Sequence, residues 1–459
     1  MRLKSPWLPR MTDGEGHASD RLTNAISEDI LSGHLQGGDR LPAHRDLAWK
    51  LDIGVGTVTK AYAALERRGL LRSVKGRGTF VSATRSRKGA LVDLSANVLP
   101  LVLGNRLLAR SLSAISRKID SDHVNLRPPP AGHDEHRRLL GRWLEQLGVP
   151  AAPDRIILTG GGQQALWLAF DILCGGRGLI ITERFSYAGA IALARYRGHP
   201  LAAVAMDDQG MCPEDLDRVL QEQRDSPRRR LVYVTPDTQN PTTRTMGRAR
   251  REAIVRVCRQ HQVPIVEDGV YSLGADPALP PLVAFAPDGV FHVSSLSKSL
   301  SPGLRLGVLV APESGVAKAA EALQALPMTA SPVDYALLEE WFSNGVAQDL
   351  RSALRAEAGR RTALAQGLLK GRALVSHDAA FHLWLPMPHA EALAFAAAAL
   401  ALGVAVTPPE TVRADPDDSE SGIRLCLGGP PTEDVTRGLS LLAGVQPGQR
   451  LTSGGGRSE

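Results

Sequence analysis

Long apolar runs are missing from this chain. The longest, Ala392 to Val406, is too short to cross a bilayer and is broken by Gly403. It reads as an alanine-rich helix, a glycine C-cap and a strand. Cysteine is scarce too: Cys174, Cys212, Cys258 and Cys426 lie far apart, with no CxxC or zinc spacing. That excludes a disulfide framework, gives no indication of a structural metal, and points to buried free thiols in a reducing compartment. The opening residues, MRLKSPWLPRMTDGEGHASD, include basic side chains but no apolar core of the kind a secretory signal requires. These absences argue against a membrane-embedded or secreted protein, and a cytoplasmic one is expected.

What is present is an ordinary soluble composition, 43% apolar and 22% charged over 459 residues, enough for roughly two or three domains. The net charge of +6 is unevenly spread: residues 19–90 hold 13 Lys and Arg against 7 Asp and Glu. The whole excess therefore sits in one segment and the remainder is close to neutral. A basic segment of domain size on a neutral body suggests a polyanion-binding module attached to a globular partner.

Within residues 19–83, glycines and a proline separate three apolar helical stripes. Ile26, Ile30 and Leu31 form the first; Leu47, Ala48 and Leu51, starting near Pro42, the second; Val58, Tyr62 and Leu65 the third. LLRSVKGRGTFV follows as two β-prone runs around a Gly-Arg-Gly turn. Three helices and a hairpin make a winged helix-turn-helix. The runs GDRLPAHRDLA, TVTKAYAALERRGLL and GRGTFV, in that order, resemble the GntR superfamily of DNA-binding domains. The resemblance implies double-stranded operator DNA as a partner. Arg45 and the third-helix residues Thr57, Thr59 and Lys60 would face it, and Arg77 with Gly78 at the wing tip would reach the minor groove or phosphates. An arginine between glycines can approach a duplex closely, and short hydroxyl side chains at a helix start can bond phosphates. This chain has Gly54 and Val55 where such domains often carry Ser-Arg, so its base contacts or its specificity differ. Arg67, Arg68 and Arg72 read as a solvated face.

Residues 84–96, TRSRKGALVDLSA, are basic and aperiodic and are expected to form a linker. Beyond it, through residue 445, strand-like runs (RIILT, GLIIT, LAAVAM, RLVYVT, PIVED) alternate with helical ones. Nearly continuous apolar strands alternating with helices predict an α/β fold with a parallel sheet covered by helices. Ligands in such sheets sit at the C-terminal strand ends. The arginines at 228–230 and Arg244, Arg248, Arg250 and Arg251 read as solvated faces. Residues 446–459, rich in glycine and serine, are expected to be disordered.

The chemically informative residues fall at those strand ends. After RIILT, the run GGGQQAL would open a helix and present Gly161, Gly162 and the Gln163 amide to a phosphate. Asn240 follows RLVYVTP, Asp268 and Tyr271 follow PIVE, and Lys298 ends FHVSSLS. A lysine that forms an imine with a phosphorylated aldehyde needs hydroxyl and guanidinium donors nearby. SSLSKSLSPGLRLG supplies serines on both sides of Lys298, and Arg305 follows seven residues later.

In order and spacing, GGGQQAL, ERFSY, TPDTQNPT, EDGVY, SSLSKSLSPGLR and IRLCLGG resemble the fold-type I, class I aminotransferases from Leu91 to Leu442. The resemblance implies a domain with a mainly parallel central sheet and a smaller C-terminal α/β subdomain. It implies pyridoxal 5'-phosphate on Lys298, its phosphate held by Ser295, Arg305 and the Gly162/Gln163 amides, and its pyridinium nitrogen paired with Asp268. Asn240 and Tyr271 would bond the phenolic oxygen, Tyr187 would stack on the ring, and Arg424 would fork onto a substrate carboxylate. It also implies a homodimer. Two departures stand out: no tyrosine precedes Gly132, and no aromatic follows GVAVTPP. A GntR-type domain fused to such a body is the arrangement of the MocR-type regulators. The chain thus reads as a pyridoxal phosphate-dependent transcriptional regulator with an amine or amino-acid effector. The alternative is a working aminotransferase with an accessory DNA-binding domain.

Overall fold

The computed structural model describes residues 7–9, 17–31, 35, 38–67, 70–74, 78–81, 91–100, 102–119, 121–125, 128–271, 273, 276, 278–325 and 330–445. Arg68, Arg77, residues 84–90 of the expected linker and the expected disordered tail 446–459 lie outside them. By their contacts the residues divide into two compact units, Met1–Ala90 and Leu91–Glu459.

The first unit runs α1 (Ala18–Leu31), α2 (His44–Lys50), α3 (Val55–Arg67), β1 (Leu71–Val74) and β2 (Gly78–Val81). Its core takes Leu22 and Ile26 from α1, Leu47 and Ala48 from α2, and Val58, Ala61, Tyr62 and Leu65 from α3, with Leu71 and Val81 closing it from the hairpin. The spacing within α3 is the helical three-and-four repeat that puts its apolar side chains on one face. Tyr62 Oη donates to Pro42 O (3.0 Å), which fixes α3 against the chain entering α2. β1 and β2 pair antiparallel with Leu71 opposite Val81. Residues 39–41 join them through Val81 N to Asp39 O (2.8 Å) and Leu41 N to Thr79 O (2.9 Å). Three helices and this small sheet form a winged helix-turn-helix.

The second unit is centred on a seven-stranded sheet made of β4 (Ile156–Thr159), β5 (Leu179–Glu183), β6 (Leu201–Val204), β9 (Arg230–Val234), β10 (Ile265–Asp268), β11 (Val290–Ser295) and β12 (Gly307–Val310). Their order across it is β4-β12-β11-β10-β9-β5-β6. A short ribbon, β7 (Met206–Asp207) and β8 (Gly210–Met211), follows β6. Both faces are covered. Ile156 and Leu158 pack into one helical layer with Leu139, Trp143 and Trp341, while Ile157 between them packs into the other with Leu166, Phe170 and Ala194. Burial on both sides explains why these strands read as unbroken apolar runs.

The sheet is mainly parallel, as expected. The exception is β12, which runs antiparallel to both β11 and β4. Only residues 296–306 separate β11 from β12, too few for the helical crossover that a parallel return requires.

A smaller subdomain holds β13 (Val375–Ser376), β14 (His382–Pro388) and β16 (Glu420–Cys426) in an antiparallel sheet. Beside it β15 (Val404–Val406) pairs in parallel with β3 (Val92–Leu94). The linker expected over 84–96 therefore ends sooner: Val92 and Leu94 are buried and Asp93 is exposed, an alternation too short to register in the sequence. The helix His389–Ala401 stops at Gly403 (φ +79°) and leads into β15, as its alanine-rich sequence predicts.

Two further expectations change. Arg251 is fully buried rather than solvated, paired with Asp237 and donating to Met246 O (3.0 Å), Leu279 O (3.2 Å) and Pro280 O (3.2 Å). Cys212 is only half-buried, unlike the other three thiols. No helix among the described residues is long and apolar enough to cross a membrane.

Candidate functional site

Strand ends bring the sequence-predicted residues of the body together. β10 ends on Asp268, β11 on Ser295 with Lys298 three residues beyond, and the chain after β9 carries Asn240. With Gly162, Gln163, Tyr187, Tyr271, Arg305 and Arg424, these line one cavity of about 300 Å³, which Asn97 and Ser297 also line.

One end of the cavity suits a phosphate. The helix Gly162–Cys174 begins there, and its first turn leaves the Gly162 and Gln163 amides without intrahelical partners. Gly161 precedes it at φ +108°, and a Cβ at that position would fall 2.7 Å from Arg305 Nη2. Glycine therefore lets a guanidinium close onto a helix N-terminus. Arg305 spends one donor on Gly160 O (3.2 Å), leaving the rest of its five N–H groups for an anion. Ser295 Oγ lies 3.1 Å from both Leu306 O and Ser297 Oγ, two alternative acceptors for its one hydrogen, which can turn instead to an anion, and Ser297 adds a second hydroxyl.

Asp268 forms part of the wall, 3% exposed. Tyr233 Oη donates to its Oδ2 (2.7 Å) and Val270 N to its Oδ1 (3.1 Å). Burial still pushes its pKa up, more than these bonds pull it down. A carboxylate in that condition gains most from a cationic N–H partner such as a pyridinium. Lys298 has the complementary problem: burial draws its pKa down to about 8, and the nearby Arg424 charge acts in the same direction. Its Nζ donates to Asn97 O. A neutral amine near physiological pH is a competent nucleophile toward an aldehyde.

The remaining polar groups form one network. Asn240 Nδ2 and Asn97 Nδ2 both donate to Tyr271 Oη (2.9 and 2.8 Å). Arg424 donates to Asn240 Oδ1 (2.7 Å), Thr407 Oγ1 (3.1 Å) and Ser95 O (3.2 Å). These three bonds leave one N–H on each Nη, the pair that grips a carboxylate. Gln239, next to Asn240 in the chain, is itself fixed. The Gln239 amide donates to Phe185 O (2.7 Å) and to Glu183 Oε2 (3.1 Å), and it accepts from Thr242 N (2.9 Å). Glu183 is fully buried, and burial pushes its pKa to about 8. Tyr187 is half-buried beside Arg424 and Arg305, its phenol pushed up by burial.

Sequence reasoning missed Asn97, Tyr233, Ser297, His382 and Thr407. Two of them left a signal: Ser297 as a serine beside Lys298, and Tyr233 as the one phenol in the buried strand RLVYV, where a hydroxyl must find a partner.

In the first unit Arg45 and Lys60 are exposed, with no ion-pair partner among the described residues. Thr57 is half-buried. Thr59 is exposed, but its hydroxyl donates to Val55 O (2.9 Å) and lies 3.3 Å from His44 Nδ1, so its hydrogen is already committed. Gly78 (φ +110°) begins β2, and a Cβ there would fall 2.9 Å from Arg40 Nε. Val55 opens α3 at 44% exposure.

This chain belongs to the class I and II aminotransferase family, which matches residues 90–442, and it carries a domain of the gntR family of bacterial regulatory proteins at 18–81. That is the domain arrangement of the MocR-type regulators, and the aminotransferase family is pyridoxal phosphate-dependent. The chain is 33% identical over 362 residues to the HTH-type transcriptional regulator TauR of Rhodobacter capsulatus, spanning 70% of this chain and 72% of that one. It is 27% identical over 447 residues to the HTH-type transcriptional regulator YdeF of Bacillus subtilis, spanning 95% and 96%. The structure of an archaeal alanine:glyoxylate aminotransferase superimposes with a TM-score of 0.70 at 24% identity, over 84% of this chain and 94% of that one. That likeness establishes the fold.

Proposed function

We propose that this protein is a transcriptional regulator whose aminotransferase-like body holds pyridoxal 5'-phosphate on Lys298 and uses that site to sense the cofactor itself or an amine or amino acid. The observation that carries the reading is the pairing, in one chain, of a winged helix-turn-helix with a cavity that has an amine, a phosphate cradle and a buried carboxylate at its walls. When bound, the cofactor would supply an electrophilic carbon and an electron-accepting ring. The chain would do the rest. The Gly162 and Gln163 amides, Arg305 and Ser295 anchor the phosphate. Asp268 keeps the ring nitrogen protonated, Tyr271 and Asn240 bond the phenolic oxygen, and Tyr187 covers the ring. The free donors of Arg424 orient the carboxylate of an amino acid. Two such bodies in a homodimer would present two basic modules to paired half-sites.

Absorbance of the purified protein with pyridoxal phosphate, followed by operator titration with and without it, tests this reading. A visible band together with a cofactor-dependent DNA affinity is expected. A colourless protein that binds DNA identically in both conditions would overturn it. A working aminotransferase is the second reading, favoured by the depressed Lys298 pKa and the two donors left on Arg424. Turnover near the enzyme median of roughly ten per second with some pair of amino acid and 2-oxo acid would select it. Half-reactions without turnover select the sensor.

A further inference from the structure

Residues 95–97 belong to no motif, yet they bond several of the groups that make the cavity. Ser95 O accepts from Arg424 Nη2 (3.2 Å), Thr407 Oγ1 (3.0 Å) and Cys426 Sγ (3.4 Å). Asn97 O accepts from Lys298 Nζ. The Asn97 side-chain amide donates to Tyr271 Oη (2.8 Å) and reaches His382 Nδ1 (3.3 Å). Burial holds the His382 pKa down to about 3, so the ring is neutral. Its Nε2 lies 3.3 Å from Gln239 O and must donate there, which leaves Nδ1 to accept from Asn97. Both amide hydrogens of Asn97 are therefore committed, and its orientation is fixed from two sides. Tyr271 Oη in turn accepts from Asn97 and Asn240, so its own hydrogen is free to be donated elsewhere.

These residues continue directly from β3, which is tied to β15 through Val92 N to Gly403 O (2.8 Å). In sequence, β3 is the first element after residues 82–90, which join the body to the DNA-binding unit.

We propose that Asn97 is a positioning residue for the Lys298 amine and the Tyr271 hydroxyl, and that residues 92–97 carry the bonding state of Lys298 toward the DNA-binding unit. The proposal rests on attachment of pyridoxal phosphate at Lys298. A free lysine amine has N–H groups to give Asn97 O. When the amine condenses with the aldehyde, a carbon–nitrogen double bond replaces the carbonyl and one water leaves. The nitrogen then keeps at most one hydrogen, and the phenolic oxygen of the cofactor takes it. Asn97 O is left without its donor, an unfavourable state for a half-buried carbonyl, and the segment relaxes. An amine effector reverses this. Its nitrogen takes over the carbon, Lys298 departs as a free amine with no net gain or loss of water, and the bond to Asn97 O re-forms.

Hydrogen–deuterium exchange of the full chain over residues 91–97 tests the relay. It is measured on apo-protein, on protein loaded with pyridoxal phosphate, and on loaded protein treated with hydroxylamine, which takes the aldehyde carbon and frees Lys298. Exchange should quicken about two- to tenfold on loading, the consequence of one lost hydrogen bond, and return to the apo rate with hydroxylamine. Lys298→Ala should exchange at the fast rate in every condition. Asn97→Ala tests positioning. Without its donor, Tyr271 becomes a weaker acid, so the pH midpoint of the loaded protein's absorbance band should rise by about half to one unit. If no band forms, the attachment reading itself fails. A band with unchanged exchange overturns the relay alone, and an unmoved midpoint in Asn97→Ala overturns the positioning role.

Discussion

In the body, Asp268, Asn240, Tyr271 and Arg424 each have partners within the chain before any ligand arrives. In the DNA-binding unit, Arg45 and Lys60 project into solvent with no ion-pair partner among the described residues. The first arrangement is preorganised: orientation is fixed by buried bonds, pKa values are displaced, and removing one member leaves others unsatisfied. The second forms its contacts only on the duplex, so each contact should contribute separately and weaken with salt. The two regions should accordingly respond to substitution in different ways.

Lys298→Ala gives the sharpest break, with covalent attachment lost entirely. Borohydride reduction and peptide mapping should find the pyridoxyl label on Lys298 in wild type and on no residue in the variant. A label on another lysine would end the assignment. Asp268→Ala comes next. Losing a charge-assisted bond to the ring nitrogen should weaken cofactor affinity by about tenfold to a hundredfold in an equilibrium titration. Unchanged affinity would show that the buried carboxylate does not face the ring.

Arg45→Ala probes the other side of the comparison. Operator binding should weaken by about 1 to 3 kcal/mol if the guanidinium reads a base, with the cofactor band unaltered. A variant that binds like wild type removes Arg45 from the interface. The rate of cofactor capture by apo-protein should climb about tenfold from pH 7 to pH 9 and then level off. The sign follows from burial: it disfavours the ammonium form, lowers the Lys298 pKa to about 8, and the neutral amine, which attacks, dominates above that value. A rise that continues past pH 10 would mean that Lys298 titrates like an exposed lysine. Lys60→Ala should have the smallest effect, reducing the slope of log affinity against log salt by about 0.9 if it neutralises one phosphate. An unaltered slope would remove Lys60 from the phosphate contacts.

The residues that sequence reasoning recovered in the body share a physical trait. Asp268, Ser295 and Lys298 end buried strands or directly follow them, and Gly161 opens a helix, so a local change of pattern marks each. Asn97 has no such mark, because the strand before it is too short to read. It comes to the cavity, and Thr407 to Arg424, through pairing of β3 with β15, a contact between segments over three hundred residues apart in the chain. β3 is too short for a period, which is also why the sequence predicts a linker as far as residue 96. Arg251 reads as solvated from the sequence because its helix is otherwise rich in exposed arginines. Its burial depends on Asp237 and two carbonyls at 279–280 that no local pattern announces. The direction of β12 follows from the length of the return and not from its composition.

That return also has a mechanical consequence. The stretch carrying Lys298 leaves the sheet at β11 and re-enters at β12, interior strands with neighbours on both sides. At the re-entry point a Cβ on Gly307 would lie 2.4 Å from the Gly161 backbone carbon, so β12 is also closed against the turn that follows β4. It behaves as a beam clamped at both ends: a push on the lysine is absorbed by the sheet and moves nothing beyond it. Residues 92–97 resemble a cantilever, anchored by a three-residue strand and by the bonds at Ser95 and Asn97, with its free end at residue 91 leading out of the unit. A small force that the clamped beam resists can deflect the cantilever, and so leverage in this molecule belongs to the segment that touches the lysine and not to the one that bears it.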